Sequence, residues 1–306
     1  MPEWVIERGI GEKRATLVEG EEIVEARIVL DGVVEAGARI EARLISTGRN
    51  AIARAEDGAE YLLPRGARGL SEGAATIIEV TRSAIPGPEQ WKRPLARIAG
   101  DNPRADELAG KAGTLPAAWD DLIEEARSGI VRFAGGELRI VATPAMTLID
   151  VDGHLDPASL SIAGAGEAAK AIRRLDIGGS IGIDLPTARD KSARHAAAAA
   201  IDAHLPPPFE RTAVNGFGFV QIVRPRRRAS LIELAQDRAG CEARALMRRV
   251  GAEPPGAKCL VAHPAVIAML DAHPEWREAL AAQIGGAVGL RVDAAIAISG
   301  GYGERA

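Results

Sequence analysis

Two apolar runs in this chain each finish on a carboxylate. The first lies in "MTLIDVDGHLDP", Met146 to Pro157, and the second in "LDIGGSIGIDLPTA", Leu175 to Ala188. Asp150 and Asp184 close the runs, and Asp152 follows Asp150 by two residues, which returns it to the same face of a strand. A hard divalent cation such as Mg²⁺ takes oxygen ligands, uses one or two protein carboxylates and keeps its other positions for water and substrate phosphate. Two carboxylates on adjacent strand ends would bind Mg²⁺, activate water and stabilise charge on a phosphodiester. Aspartates after strands also start turns and cap helices, so spacing alone leaves a purely structural reading open.

The elements between the aspartates decide whether they can meet. A strand, a helix over Glu167 to Leu175 and a second strand, "GSIGIDL", are expected between Asp150 and Asp184. If those strands run parallel, both carboxylates reach the same sheet edge. "GELRIVAT" pairs with the first strand, an alanine-rich helix runs from Asp190 to His204, and Thr212 to Val223 supplies another strand region. Upstream, Trp4 to Leu30 reads as a hairpin turning at Glu19-Gly20-Glu21. Short β-rich runs from Gly37 to Val80 predict a small barrel such as an OB-fold. Residues 83–115 read as a connection, followed by a short helix near Leu115 to Arg127. Helices at Pro264 to Leu270 and Glu275 to Ile284, and a strand near Leu290 to Ala294, complete an α+β chain.

With 306 residues, 47% hydrophobic and 26% charged, the sequence is that of a folded protein with room for more than one module. No run reaches membrane-spanning length, and charges interrupt the N-terminal apolar residues, so neither a membrane span nor a signal peptide is expected. Cys241 and Cys259 form no C-x-x-C pair, which makes a reduced, cytoplasmic protein the expectation. A formal net charge of −4 argues against a uniformly basic nucleic-acid binder. The Arg-rich stretch from Arg224 to Arg249 nevertheless allows a polyanion to be gripped locally.

At the aspartates the sequence resembles the ribonuclease E/G family of bacterial RNA endonucleases. "LIDVDG" resembles that family's catalytic "IDVN" strand, and "KAIRRLDIGGSIGIDL" its "RDIGGxIVIDF" segment. "EKRATLVEGEEIVEARI" is similar to the family's opening hairpin. "GARIEARLISTGRNAIARAEDGAEYLLP" and "IIEVTRSAIPGPEQWKRPLARI" are similar to its RNA-binding OB-fold barrel. "VNGFGFVQIVRPRRRASL" resembles "FGLxEMxRxRxxPSL", and "HPAVIAML" the later "HPEVA". "IDVDG" and "GGSIGID" also faintly echo phosphate-binding strands of sugar-kinase-like ATPases, but no P-loop is present and the glycines open a strand.

The ribonuclease resemblance implies a Mg²⁺-dependent endoribonuclease that cleaves single-stranded RNA to leave 5′-phosphate ends, in processing or decay of rRNA or mRNA. Its fold would be α+β, a mixed-sheet catalytic core with ribonuclease H-like and DNase I-like elements and an inserted OB-fold barrel. The implied division is an N-terminal hairpin of the core at 1–32, the barrel at 33–98 and a shortened connection at 99–127. The catalytic core follows at 128–235 and a small C-terminal domain at 236–306. Asp150 and Asp184 take the metal-binding positions, and Asp152 stands where the family usually has asparagine. The segment for a 5′-monophosphate sensor is too short, with Arg104 its only arginine. The zinc motif "CPxC" survives only as "CEAR" from Cys241, so zinc is not expected, and homodimer or homo-oligomer assembly stays open. Thr187 stands where a second acidic residue is common.

RNA phosphates are expected at Arg224, Arg226, Arg227 and Arg228, near the metal, with solvated surface arginines as the bland alternative. Lys170 shares a helical face with Arg173 and is a further RNA-facing candidate. Tyr61, Trp91, Phe217 and Phe219 are candidates for base stacking, although aromatics make up only 3% of the chain and each could serve a core. Arg54 and Leu62 stand where the family has stacking phenylalanines. His195 and His204 are expected on the surface. The rival to the nuclease is a non-catalytic RNA-binding protein that keeps the scaffold.

Overall fold

The computed structural model describes residues 3–67, 69–85, 93–100 and 110–305, so Trp91 and Arg104 lie outside the described residues. The chain divides into two compact units. The first comprises Met1–Ile6, Ala15–Arg27 and Gly32–Glu233; the second comprises Glu7–Arg14, Ile28–Asp31 and Leu234–Ala306.

The chain opens with β1 (Glu3–Gly9), β2 (Glu12–Glu19) and β3 (Glu22–Leu30). β2 and β3 form the expected hairpin, burying Ala15, Leu17, Ile23 and Ala26. Next come β4 (Arg39–Leu44), β5 (Ala51–Ala55), β6 (Glu60–Leu63), β7 (Ala75–Arg82) and β8 (Leu95–Ile98). These five strands close into a barrel in the order β4-β5-β6-β8-β7, with β6 and β8 parallel. Its interior combines small and large residues, Ala51 and Ala53 with Leu44, Tyr61, Leu63 and Ile78, which suits a narrow barrel. A short β9 (Lys111–Ala112) then pairs parallel with β1.

The sheet that carries the aspartates follows. Its elements are α1 (Ala118–Ser128), β10 (Ile130–Phe133), β11 (Gly136–Ala142), β12 (Thr147–Gly153), α2 (Pro157–Arg174), β13 (Gly179–Asp184), α3 (Lys191–His204), β14 (Glu210–Arg211) and β15 (Phe219–Arg224). The strand order is β10-β11-β12-β13-β15-β14, with β12 and β13 parallel and the other pairs antiparallel. α2 begins ten residues before the expected Glu167. Asp156 caps it, accepting from the Ala158 and Ser159 amides at 3.1 Å, and Pro157 takes the first turn, where its missing N–H costs nothing. The helix packs across β11 and β12 and against α3. Gly164 makes this approach possible, because a Cβ there would lie 2.3 Å from Val151 Cγ1. One sheet face is thus roofed by helices while the other stays open.

The boundary falls midway along α4 (Leu231–Gln236), and the second unit then holds α5 (Arg238–Gly251), β16 (Lys258–Ala262), α6 (Pro264–Ala272), α7 (Pro274–Ile284), β17 (Val288–Val292) and β18 (Tyr302–Arg305). The three strands order as β17-β16-β18 over a core of Leu246, Val250, Leu260, Leu270, Trp276 and Leu280. Residues 7–14 and 28–31 of the hairpin, expected to belong wholly to the catalytic core, fall in this unit. The reason is electrostatic and steric. Glu12 is only 4% exposed and accepts from Arg244 Nε at 3.0 Å and from Arg248 Nη1. Gly11, at φ 78°, lets the Trp276 ring sit where a Cβ would stand 2.7 Å away. Arg244 and Arg248, part of the stretch expected to grip a polyanion, are therefore consumed by a buried carboxylate. Among the described residues no helix is long and apolar enough to cross a membrane.

Removing one partner of a buried ion pair strands the other charge, at a cost of about 3–5 kcal/mol. Glu12→Ala should therefore lower stability by about that amount in urea denaturation. A loss below about 1 kcal/mol, the range of solvent-screened surface pairs, would show that water reaches these groups.

Candidate metal centre

Strand register brings the two aspartates together. In the parallel β12–β13 pair, Asp150 is the cross-strand partner of Asp184, following Ile149 opposite Ile183 and Leu148 opposite Gly182. Neighbouring strands lie about 4.8 Å apart, so two carboxylates on one face can share one small cation. Both side chains are exposed, whereas Ile149, Val151, Ile181 and Ile183 point to the helical side and are buried. Asp152 stands on the open face with them.

The electrostatics match this geometry. Burial, followed by the nearby Asp152 and Asp184 carboxylates, raises the Asp150 pKa above the usual carboxylate range. The Val151 amide and Arg139 oppose the rise. Arg139 lies across from Asp150 on β11, but its guanidinium donates to Glu137 Oε1 at 2.9 and 3.1 Å, so it neutralises its own strand neighbour. The donor set, hard oxygens in mutual repulsion, fits a divalent cation such as Mg²⁺. Among the described residues no group of three or more His, Cys, Asp or Glu is arranged to hold a metal, so the set is the facing pair and not a closed cage.

The floor beside the pair is apolar. Phe219 stands opposite Asp184, and its ring covers Gly182: a Cβ at Gly182 would meet Phe219 Cζ at 2.6 Å and Leu148 Cδ2 at 3.1 Å. Beyond the Asp184 end of β13, the segment Asn215–Phe219 forms a tied turn. Asn215 Oδ1 accepts from the Phe217 and Phe219 amides at 2.9 and 3.0 Å, and Thr187 Oγ1 donates to the Phe217 carbonyl at 3.1 Å. The expected continuous strand over Thr212 to Val223 is broken at this turn, and the "NG" pair in "VNGFGF" was its signal.

The remaining expected residues are distributed elsewhere. Tyr61 is 2% exposed and fills the barrel core, because alternation along β6 turns it inward; it offers no ring face for stacking. Lys170 lies on α2, on the roofed side of the sheet, and pairs with Glu167 at 3.4 Å. Its helical neighbour Arg173 pairs with Glu25 at 3.0 Å. Arg224 is opposite Gly179, at the other end of β13 from Asp184, so the arginine cluster begins about 17 Å from the aspartates and not beside them.

That cluster forms a site of its own. Arg224, Arg226, Arg227 and Arg228 join Arg27 and Asp176 around a cavity of about 180 Å³. Arg228 donates to Asp176 Oδ2 at 2.8 Å, Arg224 lies 3.9 Å from Asp176 Oδ1, and Arg226 pairs with Glu233. Burial and then the nearby Arg228 lower the Arg27 pKa, a sign of crowded positive charge. Arg27 and Asp176 were missed because nothing local in a sequence announces a cavity shared by residues some 150 positions apart. Cys241 and Cys259 are not disulfide-bonded, and Cys241 Sγ donates to the Leu234 carbonyl at 3.2 Å. His195 and His204 are exposed, as expected.

No protein-family model matches the chain, and no curated protein matches it.

Like charges directly opposed in a sheet are destabilising by about 0.2–1 kcal/mol. Asp184→Asn should accordingly raise stability without divalent cations by about that amount and abolish any thermal shift on adding Mg²⁺. A variant less stable than the parent, with its Mg²⁺ shift intact, would return Asp184 to a structural role.

Proposed function

We propose that the chain is a Mg²⁺-dependent endoribonuclease acting on single-stranded RNA, of the ribonuclease E/G type. The observation that carries this reading is the in-register pairing of Asp150 with Asp184 on the open face of the sheet, with Asp152 two residues on. The core is proposed to be ribonuclease H-like with DNase I-like elements. The closed barrel, with its parallel β6–β8 pair, is consistent with an OB-fold that holds the strand to be cut.

In this mechanism Asp150 and Asp184, cross-strand partners on the open face, would hold the cation. A bound Mg²⁺ supplies Lewis acidity at a phosphoryl oxygen and at water. Asp152 accepts a hydrogen bond from water on the same face and orients it for in-line attack. Arg139, the cross-strand neighbour of Asp150, spends its guanidinium on Glu137, which leaves the aspartate oxygens available to a cation. Phosphate contacts are proposed at the remote pocket around Arg224, Arg226, Arg227 and Arg228, whose cations outnumber the carboxylates lining it.

The test is purified protein with labelled single-stranded RNA, with and without Mg²⁺. Cleavage should require the cation, and either Asp150→Asn or Asp184→Asn should abolish it with the fold intact. Asp152→Asn should lose about tenfold or less, in keeping with a group that orients and does not ligate. Full activity in Asp184→Asn would sink the mechanism. RNA binding without cleavage under any divalent cation would support the non-catalytic scaffold.

Arg227→Ala should weaken binding alike for all sequences and reduce the slope of log affinity against log salt by about 0.7. An unchanged slope would assign Arg227 to the protein's own ion pairs.

A further inference from the structure

We infer that Phe217 is a base-stacking platform beside the metal edge, which receives a nucleobase of the single-stranded RNA whose phosphodiester lies at Asp150 and Asp184. The inference rests on the proposed nuclease reading and names how that site positions its substrate.

Phe217 is 83% exposed, the most exposed of the large hydrophobic residues described. Leaving a phenyl ring in water forgoes about 1.5–3 kcal/mol of burial, and a flexible loop would let it fold back onto the surface. This loop is not free to do so. Asn215 Oδ1 holds the amides on both sides of Gly218, and the Gly218 amide donates to the Asn215 carbonyl at 3.2 Å. The Gly218 carbonyl accepts from the Leu185 amide at 3.2 Å, and Thr187 fixes the Phe217 carbonyl. Gly218 itself, at φ 94°, sits where a Cβ would be 2.1 Å from the Leu185 carbonyl oxygen. The backbone carrying the ring is over-determined, and the ring is still outside.

The position selects the ligand. Phe219 pairs with Asp184, so Phe217 stands two residues beyond the metal-binding partner, at the end of β13 where the carboxylates are presented. Its chain neighbours are Asn215, Gly216 and Gly218, and across the turn stands exposed Thr187. One aromatic face set among small polar groups suits a single flat ring. Leu148 and Phe219 add apolar surface nearby, but the exposed Asp150, Asp152 and Asp184 interrupt it, unlike the charge-depleted centre of a protein interface. Bases present such a ring whatever their identity, and stacking tolerates sequence variation. Thr187, where an acidic residue was expected, thereby has a role: it locks the platform and leaves the cation to the aspartates.

The experiment uses the full chain carrying Asp184→Asn, so that RNA is not consumed. In a Phe217→Trp version, emission of the added indole should be quenched by a single-stranded oligoribonucleotide. It should not be quenched by an oligomer of the same length with abasic residues, which keeps the phosphate charge. Phe217→Leu, which keeps an apolar side chain but no π face, should weaken oligonucleotide binding by about 5- to 150-fold with an unchanged melting temperature. It should leave the abasic affinity alone. Equal quenching and affinity for the normal and abasic strands would overturn the inference. So would loss of self-association in Phe217→Leu with RNA affinity intact, which would make Phe217 a protein contact. Base-dependent quenching in a protein whose parent never cleaves RNA would sustain the platform and reject the nuclease, so the two failures are separable.

Discussion

Everything at the candidate site depends on one register, the parallel pairing that sets Asp150 across from Asp184. That pairing works against itself electrostatically, because opposed like charges cost about 0.2–1 kcal/mol. What holds it is the other face of the same strands. Ile149, Val151, Ile181 and Ile183 are buried beneath the helices, each worth about 1.5–3 kcal/mol, and a slip of one residue would exchange the two sets. Hydrophobic burial wins by severalfold. The carboxylates are carried where the isoleucines put them.

The crossover that makes the strands parallel has its own requirement. α2 must lie close against β11 and β12, and Val151 leaves no room for a side chain at Gly164. The helix accepts two internal glycines, each weaker than alanine by about 1 kcal/mol, in exchange for that approach. Local helix propensity is given up so that two distant carboxylates can meet. The same register sends Arg224 to the far end of β13, about two Debye lengths from Asp184 at physiological salt. The arginines therefore do not neutralise the acidic pair. An acidic edge and a basic pocket coexist on one sheet, each with its own field.

Period-two patterning made the aspartates legible: alternation along "TLIDVDG" and "GSIGID" put them opposite the apolar residues, and a β-α-β unit left little freedom in how they meet. The barrel was legible from glycine-punctuated short strands. Other features were not. "AGAG" hid the first half of α2 because glycine reads as a break until its packing partner is known. Tyr61 reads as either a stacking or a core aromatic until the barrel closes and fixes which side of β6 is inside. Arg244 and Arg248 read as part of an Arg-rich stretch, and only contact with Glu12, more than 230 positions away, makes them structural. The common element is pairing over long sequence distance, which local pattern does not encode.

Several unfavourable features of the first unit gather at one place. Two aspartates facing each other, a third on the same face, an apolar floor left open at Leu148 and Phe219, and a phenyl ring held in water all lie at one end of β12, β13 and β15. Each would be removed cheaply by a sequence selected for stability alone: asparagine for Asp184, a polar residue for Phe217, a larger residue over the floor. The surroundings instead spend backbone hydrogen bonds and a left-handed glycine to keep them as they are. Local conflict gathered at one edge and held there by backbone hydrogen bonds is what a ligand-binding site costs a fold. A cation relieves the repulsion between the aspartates, and a flat ring laid on Phe217 relieves its exposure. One strand of RNA would bring both a phosphodiester that a cation could bridge and a base that could stack, so the proposed ligand would answer the whole cluster.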